Sequence, residues 1–181
     1  MNKLLENKLI RLRATEPEDL EHLYKWENDT SLWEQGNANA PYSRFSLKQY
    51  LVESKQDLFA DKQMRLMVVL KRSEVVIGMV DLYDFDPLHR RAGVGILIDE
   101  DYRKQGYALQ VLKLLETYAF SFISLHQLYA FVPMNNDASM WLFRKAGYYA
   151  AATLNHWLLR GEKYEDVRVW QKIQNFKPPV Y

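Results

Sequence analysis

The sequence predicts a mixed α/β domain in which a mostly antiparallel sheet of about six to seven strands is flanked by about four helices. Three observations carry this. Short apolar and β-branched runs recur along the chain, a long amphipathic helix sits near its middle, and the order of elements is β-α-α-β-β-β-α-β-α-β-β. The 181 residues suit one domain, with a core over about 9–173.

Taken in order, Leu9–Arg13 alternates as a first strand. Thr15, Pro17 and Glu18 read as a capping box, followed by Leu20, Leu23 and Tyr24 at helical spacing. Glu27 to Ser43 reads as loop or broken helix. A second box at Ser46 and Gln49 opens a helix whose apolar face is Leu47, Tyr50, Leu51 and Leu58. Strands are expected at Met64–Leu70, Val75–Leu82 and Ala92–Ile98, as a meander joined by turns that include Asp86-Pro87-Leu88-His89. From about Gly106 to Phe122, the residues Ala108, Val111, Leu112, Leu115, Ala119 and Phe122 form one helical stripe. Leu128–Val132 reads as a short buried strand, and Asp137–Ala146 as a helix stopped by Gly147. Thr153–Leu159 and Asp166–Ile173 flank the hairpin-like turn Arg160-Gly161-Glu162-Lys163.

Composition narrows the function. Lys and Arg total 24 and Asp and Glu total 23, so the net charge of +1 gives no basic excess for nucleic acid. No run approaches the ~20 apolar residues of a membrane span, and Met1–Glu6 shows no secretory signal. The absence of cysteine excludes disulfides, cysteine-ligated zinc and a cysteine nucleophile, and agrees with a cytoplasmic protein. His22, His89, His126 and His156 have no metal-ligand spacing, so no metal is expected.

The chemistry concentrates at Ile98–Ala108. A strand ends, a short loop follows, and a long helix begins near Gly106. Its first amides lack intrahelical acceptors, and Arg103 and Lys104 add positive charge beside them. From Tyr102 to Leu115 there are three basic residues and no acidic one, which makes a site for a pyrophosphate. A capped helix with two solvated cations is the alternative reading. Other phosphate motifs fail. Gly93-Val94-Gly95 lacks a third glycine and continues as a strand, and no P-loop signature is present.

These residues resemble the GNAT superfamily of acetyl-CoA-dependent N-acetyltransferases. The family's [RQ]-x-x-G-x-[GA] signature matches Arg103-Lys104-Gln105-Gly106-Tyr107-Ala108. Its second element, an Asn, a helix and K-x-G-[FY], matches Asn136-Asp137-Ala138-Ser139 through Lys145-Ala146-Gly147-Tyr148. Within the superfamily, His89-Arg90-Arg91-Ala92 and Arg160–Asp166 are similar to the branch of spermidine and ribosomal-protein acetyltransferases.

The resemblance implies acetyl-CoA as co-substrate. The amides of Gln105 to Ala108 would hold its pyrophosphate. The backbone edge at Leu97 and Ile98 would pair with the pantetheine and polarise the thioester carbonyl. Asn136 would contact the pantetheine as well as cap its helix, and Phe143 would stand with the coenzyme-binding residues. The acceptor it implies is a small-molecule amine, polyamine-like, or a peptide N-terminus. A homo-oligomer is possible, and neither nucleic acid nor membrane is expected as a partner.

Two positions depart from the pattern. Where relatives carry a leaving-group tyrosine this chain has Phe143, and where they carry a glutamate early in the fourth strand it has Gly93. A thiol pKa of ~8.5 makes CoA a tolerable leaving group, whereas an alkylammonium near 10.4 leaves only about one amine in 10³ neutral at pH 7. Loss of the base therefore weighs more. Among Asp81, Asp84 and Asp86, Asp84 is the preferred base, as nearer the strand end where a substrate enters; a solvated aspartate before a turn is the plainer reading. Ser139 is the candidate proton donor, since the ribosomal-protein branch often has a serine there, and a first-turn serine is its structural alternative. Glu16, Glu18, Asp19, Glu21, Glu27, Asp29 and Glu34 read as an acidic wall for an ammonium acceptor, with Trp26, Trp33 and Tyr42 as cation–π partners. Capping and solvation explain at least Glu16, Glu18 and Asp19.

Overall fold

The computed structural model describes residues 4–33, 40–55 and 57–176. Seven strands form one sheet: β1 (Ile10–Ala14), β2 (Met64–Leu70), β3 (Val76–Asp86), β4 (Arg91–Ile98), β5 (Gln127–Pro133), β6 (Tyr149–Arg160) and β7 (Lys163–Ile173). The helices are α1 (Leu20–Glu27), α2 (Thr30–Trp33), α3 (Arg44–Glu53), α4 (Leu58–Asp61), α5 (Tyr107–Thr117) and α6 (Asp137–Lys145). The spatial order is β1-β2-β3-β4-β5-β7-β6, antiparallel except between β4 and β5. This agrees with the fold class read from the sequence.

Alternation along the strands divides the interior in two. Ala92, Val94, Leu128, Ala130, Val132 and Trp170 point to the core shared with Val111, Leu112 and Leu115 of α5. Met67 and Met79 face the other side, where Leu23 and Trp26 of α1 and Leu47 and Leu51 of α3 pack.

Several local expectations need correction. The first capping box is Glu16 with Asp19, not Thr15 with Glu18; Thr15 itself is buried. The second helix starts earlier than read, because Ser43 is its cap and accepts from the Ser46 amide. Leu58 belongs to a separate short helix capped by Asp57. Phe122 leaves the helical stripe: a wide turn over Tyr118–Phe122, closed by the Ile123 amide on the Tyr118 carbonyl, rotates it outward. There it is 66% exposed and stacks on Tyr118. Two turn glycines are as expected, with positive φ at Gly147 after α6 and at Gly161 in the last hairpin.

Candidate acyl-transfer site

The site follows from one departure in the sheet. β4 stays paired with β3 as far as Ile98↔Gly78, and β5 stays paired with β7 as far as Pro133↔Val167. Between β4 and β5 the parallel register runs only through Arg91↔Gln127, Ala92↔Leu128 and Gly93↔Tyr129. Beyond Gly93 the two halves of the sheet part, each held by its outer neighbour. The backbone edge of residues 94–98 thereby faces an opening. Leu97 packs its side chain toward α1 and α3, and Ile98 packs into the α5 core, so what each offers the opening is backbone.

At the open end the chain turns from β4 into α5. Asp99 caps a single turn at Glu100–Tyr102, accepting from the Asp101 amide. Arg103 Nε donates to the Ile98 carbonyl at 2.9 Å, and Gln105 Nε2 donates to the Asp101 carbonyl. Lys104 and Gly106 both have positive φ, and the helix begins at Tyr107 with no acid in its first turn. The result is a tight coil whose amides precede a helix N-terminus, a geometry suited to phosphate. Arg103, Lys104, Gln105 and Gly106 are exposed, and Tyr107 and Ala108 are half-buried. A side chain built at Gly106 would meet no atom within 4 Å. Its glycine therefore answers to a φ of +81° and not to the protein's own packing, and it leaves the space outside open.

The loop is tied to α1. The carboxylate of Asp99, nearly buried, receives the Lys25 ammonium and the Trp26 indole N–H, each at 2.8 Å on Oδ2. Burial alone would raise its pKa, but these donors outweigh it and hold the carboxyl below the ordinary value. Trp26 is thus a core residue and a latch rather than an exposed cation–π partner.

On β5's side, Asn136 caps α6 by accepting from the Ser139 amide, and Ser139 is half-buried in the first turn. Phe143 is buried against Tyr148 at 5.0 Å, edge to face. Next to this end of β5, an open cleft of about 520 Å³ is lined by Thr30, Trp33, Asn135, Leu159, Arg160, Gly161 and Glu165.

Asp84 lies elsewhere than expected. The β3–β4 register shifts between Tyr83 and Asp86, and Asp84 sits in that bulge with φ of +48° and is exposed. Leu82 and Phe85 both reach the core, a three-residue spacing that only the bulge allows. This end of β3 borders the closed end of the β4–β5 opening. The carboxylate beside the open stretch is Asp81, opposite Gly95 in register and 3.7 Å (Cβ) from where a Gly95 side chain would begin. Asp86 serves the turn, accepting from the His89 amide and Arg91.

Sequence reading missed two features here. Arg65 joins Asp81, through Nε and Nη2 at 2.8 Å each, to Glu27 of α1. Burial works against the guanidinium, but Asp81 and Glu27 more than offset it, so its pKa is raised. The second is Tyr83, whose ring covers Gly93. Strand alternation carries part of this signal, since Arg65, Asp81, Tyr83, Gly93 and Gly95 all fall on one face.

The acidic wall is largely engaged in structure. Asp19 is buried in a two-bond pair with Arg13, Glu21 pairs with Arg44, Glu27 with Arg65, and Asp29 holds Ser31. Glu34 lies outside the described residues. Trp33 donates its indole N–H to the Glu27 carbonyl, and Tyr42 is exposed.

A free backbone edge on β4 beside a glycine turn that opens a helix is the arrangement the GNAT resemblance implies. The Acetyltransferase (GNAT) domain family matches residues 10–149. The chain belongs to that family. It is an acetyltransferase by descent, and acetyl-CoA is the co-substrate such enzymes use. Spermidine N(1)-acetyltransferase of Escherichia coli (strain K12) is 28% identical over 161 residues, 88% of this chain and 84% of the relative. That of Vibrio cholerae is 25% identical over 169 residues, 93% of this chain and 95% of the relative. A crystal structure of the Vibrio cholerae spermidine N-acetyltransferase with CoA and spermine superposes with a TM-score of 0.82 at 24% identity, covering 93% of this chain and 97% of that one. Among the described residues, no group of three or more His, Asp or Glu side chains is placed to hold a metal, and no helix is long and apolar enough to cross a membrane.

Proposed function

We propose that this protein acetylates a primary amine of a polyamine or similar small acceptor, by direct attack on acetyl-CoA in a ternary complex. The observation that carries this is the opening between β4 and β5, whose free backbone edge leads straight to the coiled amides at Gln105–Ala108. The turn would hold the pyrophosphate, with Arg103 and Lys104 adding charge. The Leu97–Ile98 edge would pair with the pantetheine, and a backbone N–H there would polarise the thioester carbonyl. Asn136 would reach the pantetheine from the far wall, which Phe143 closes from behind. The amine nitrogen bonds to the carbonyl carbon, the C–S bond breaks, and the thiolate leaves while the amine gives up a proton.

The polyamine acceptor rests on the spermidine acetyltransferases among the relatives and on Asp81, the carboxylate beside the opening. For the proton transfers, Asp84 acting through water and Ser139 as donor to the thiolate are the proposed residues. Asp81 is the geometric competitor to Asp84. A peptide N-terminus is the second reading, favoured by Gly93: an α-amine with a pKa of ~7.7–8.0 needs a base less than a polyamine does.

Thiol release from acetyl-CoA, measured with spermidine, diamines and peptides of basic N-terminus, separates these readings. Turnover is expected to be fastest with the polyamines. Tight CoA binding with no turnover on any amine would overturn the enzymatic reading in favour of a CoA-binding module. Assembly of several copies belongs to the same proposal. A relative from Vibrio cholerae was solved as a dodecamer, and here β6 is a sheet edge with Trp157 and Leu159 exposed. Sedimentation of the purified protein gives the answer.

A further inference from the structure

Where the opening begins, β4 carries no side chain on the α1 and α3 face until Leu97, because Gly93 and Gly95 occupy the positions before it. Tyr83, opposite Gly93 in register, fills the vacancy. A Cβ added at Gly93 would lie 2.3 to 2.8 Å from three atoms of the Tyr83 ring, and one added at Gly95 would lie 4.0 Å from it. The ring thus spans from β3 across β4. Its hydroxyl lies toward the backbone of Phe131, two residues past the last β4–β5 pair. Tyr129 stands edge-on to Tyr83 at 6.2 Å, and Phe131 edge-on to Tyr129 at 5.5 Å. Burial and the nearby Tyr129 and Asp84 keep the phenol neutral by raising its pKa. The neutral phenol oxygen has lone pairs that can accept from an ammonium, which only donates.

A side chain at position 93 and the present pose of Tyr83 are mutually exclusive. Position 93 is where the family resemblance places a carboxylate. We propose that Tyr83 is a specificity-determining residue of the acceptor site: its ring face and hydroxyl receive the acceptor's ammonium group in place of that carboxylate. This rests on the amine-acetyltransferase reading above. Asp81 and Glu27 exceed Arg65 by one negative charge beside the ring, so the local field favours a cation. An aromatic face attracts an ammonium without requiring that a charge be buried on the protein.

The test uses the full chain and three variants, Tyr83→Val, Tyr83→Phe and the double exchange Tyr83→Val with Gly93→Glu. Kinetics with spermidine are run beside calorimetric binding of spermidine to the CoA-loaded protein and of CoA to the free protein. Tyr83→Val is expected to raise the spermidine KM and Kd about five- to thirtyfold, the size of a desolvated cation–π contact, with CoA affinity unchanged. Tyr83→Phe is expected to stay within about threefold of the parent, because it retains the ring face. The double exchange places a carboxylate in the vacated volume; it is expected to regain affinity and to add an acidic limb to the pH–rate profile. Parental spermidine affinity in Tyr83→Val would overturn the proposal. So would equal losses for CoA and spermidine, which would make Tyr83 only a wedge between strands. A parent that binds spermidine without acetylating it would overturn the transferase reading alone. A parent that binds no amine would overturn both.

Discussion

The Trp26 indole N–H donates to the Asp99 carboxylate at 2.8 Å, tying α1 to the first residue after β4. One end of that bond lies in the core beneath the acceptor side, and the other caps the turn proposed for the pyrophosphate. The two proposed substrate regions are therefore joined through one nearly buried carboxylate, which Lys25 also holds.

Asp99→Asn should lower stability by about 1.5–3 kcal/mol, the range for hydrogen bonds to a charged group, and should weaken CoA binding. The sign of its pH dependence follows from a folded pKa held below the usual 3.8. The stabilisation is present above 3.8 and is lost as pH falls through the lower folded value. Urea midpoints of parent and variant should differ at neutral pH and converge in acid. A gap that persisted in acid would contradict the assignment.

At Gly106 two demands can be separated. The φ of +81° penalises any β-carbon, yet the protein leaves the surrounding space empty. Gly106→Asn, which tolerates this conformation, should cost less than about 1 kcal/mol, and Gly106→Val clearly more. Both should lose most CoA affinity, since a side chain would project where the phosphates are placed. Calorimetry with CoA beside thermal melts reads the two effects apart; unchanged affinity in Gly106→Asn would remove the phosphate assignment.

Gly93→Ala is expected to destabilise by about 1–3 kcal/mol, because the new methyl enters the Tyr83 ring and the ring must move. Adding Tyr83→Val should return most of that loss. A double-mutant cycle by chemical denaturation measures the coupling, and additive effects would mean the ring and glycine do not share this space.

Arg65→Met removes a mostly buried cation and leaves Asp81 and Glu27 facing one another. A loss of about 3–5 kcal/mol is expected from breaking such a pair on one side. Arg65→Lys should recover only part, since a single ammonium cannot reproduce the two parallel bonds to Asp81.

Exchanging Asp84 for Asn tests its proposed role as base. A shifted acidic limb in the pH–rate profile is expected, with little change in melting temperature, because Asp84 is exposed. An unshifted limb in Asp84→Asn, with a shifted one in Asp81→Asn, would transfer the role to Asp81.

Much of this was legible in the chain itself. Periodicity is local, so the strand at Met64–Leu70 and the helix opening after Gly106 could be placed from residues a few positions apart. The turn proposed for the phosphates was legible for the same reason: strand, loop, glycine and helix are contiguous from Ile98 to Ala108. Capping also depends on neighbours, but Ser43 and Ser46 compete for one helix start, and only the folded backbone shows which hydroxyl meets the amide.

Tertiary structure decided what depends on distant partners. That β4 and β5 part after Gly93 follows from how each outer half of the sheet holds its own strand, and no local pattern encodes it. The bulge at Asp84 turned that residue outward and left Asp81 beside the opening, because register is settled by pairing and not by counting along one strand. Trp26 and Asp99 lie 73 positions apart, and Arg65 and Glu27 lie 38 apart; such contacts exist only once the chain has closed those loops. The sequence by itself determined the fold class, the glycine turn proposed for the coenzyme and the missing side chain at position 93. Only the folded chain showed that the ring of Tyr83 stands in its place, since a volume left empty by one residue is filled by whatever packing brings over it.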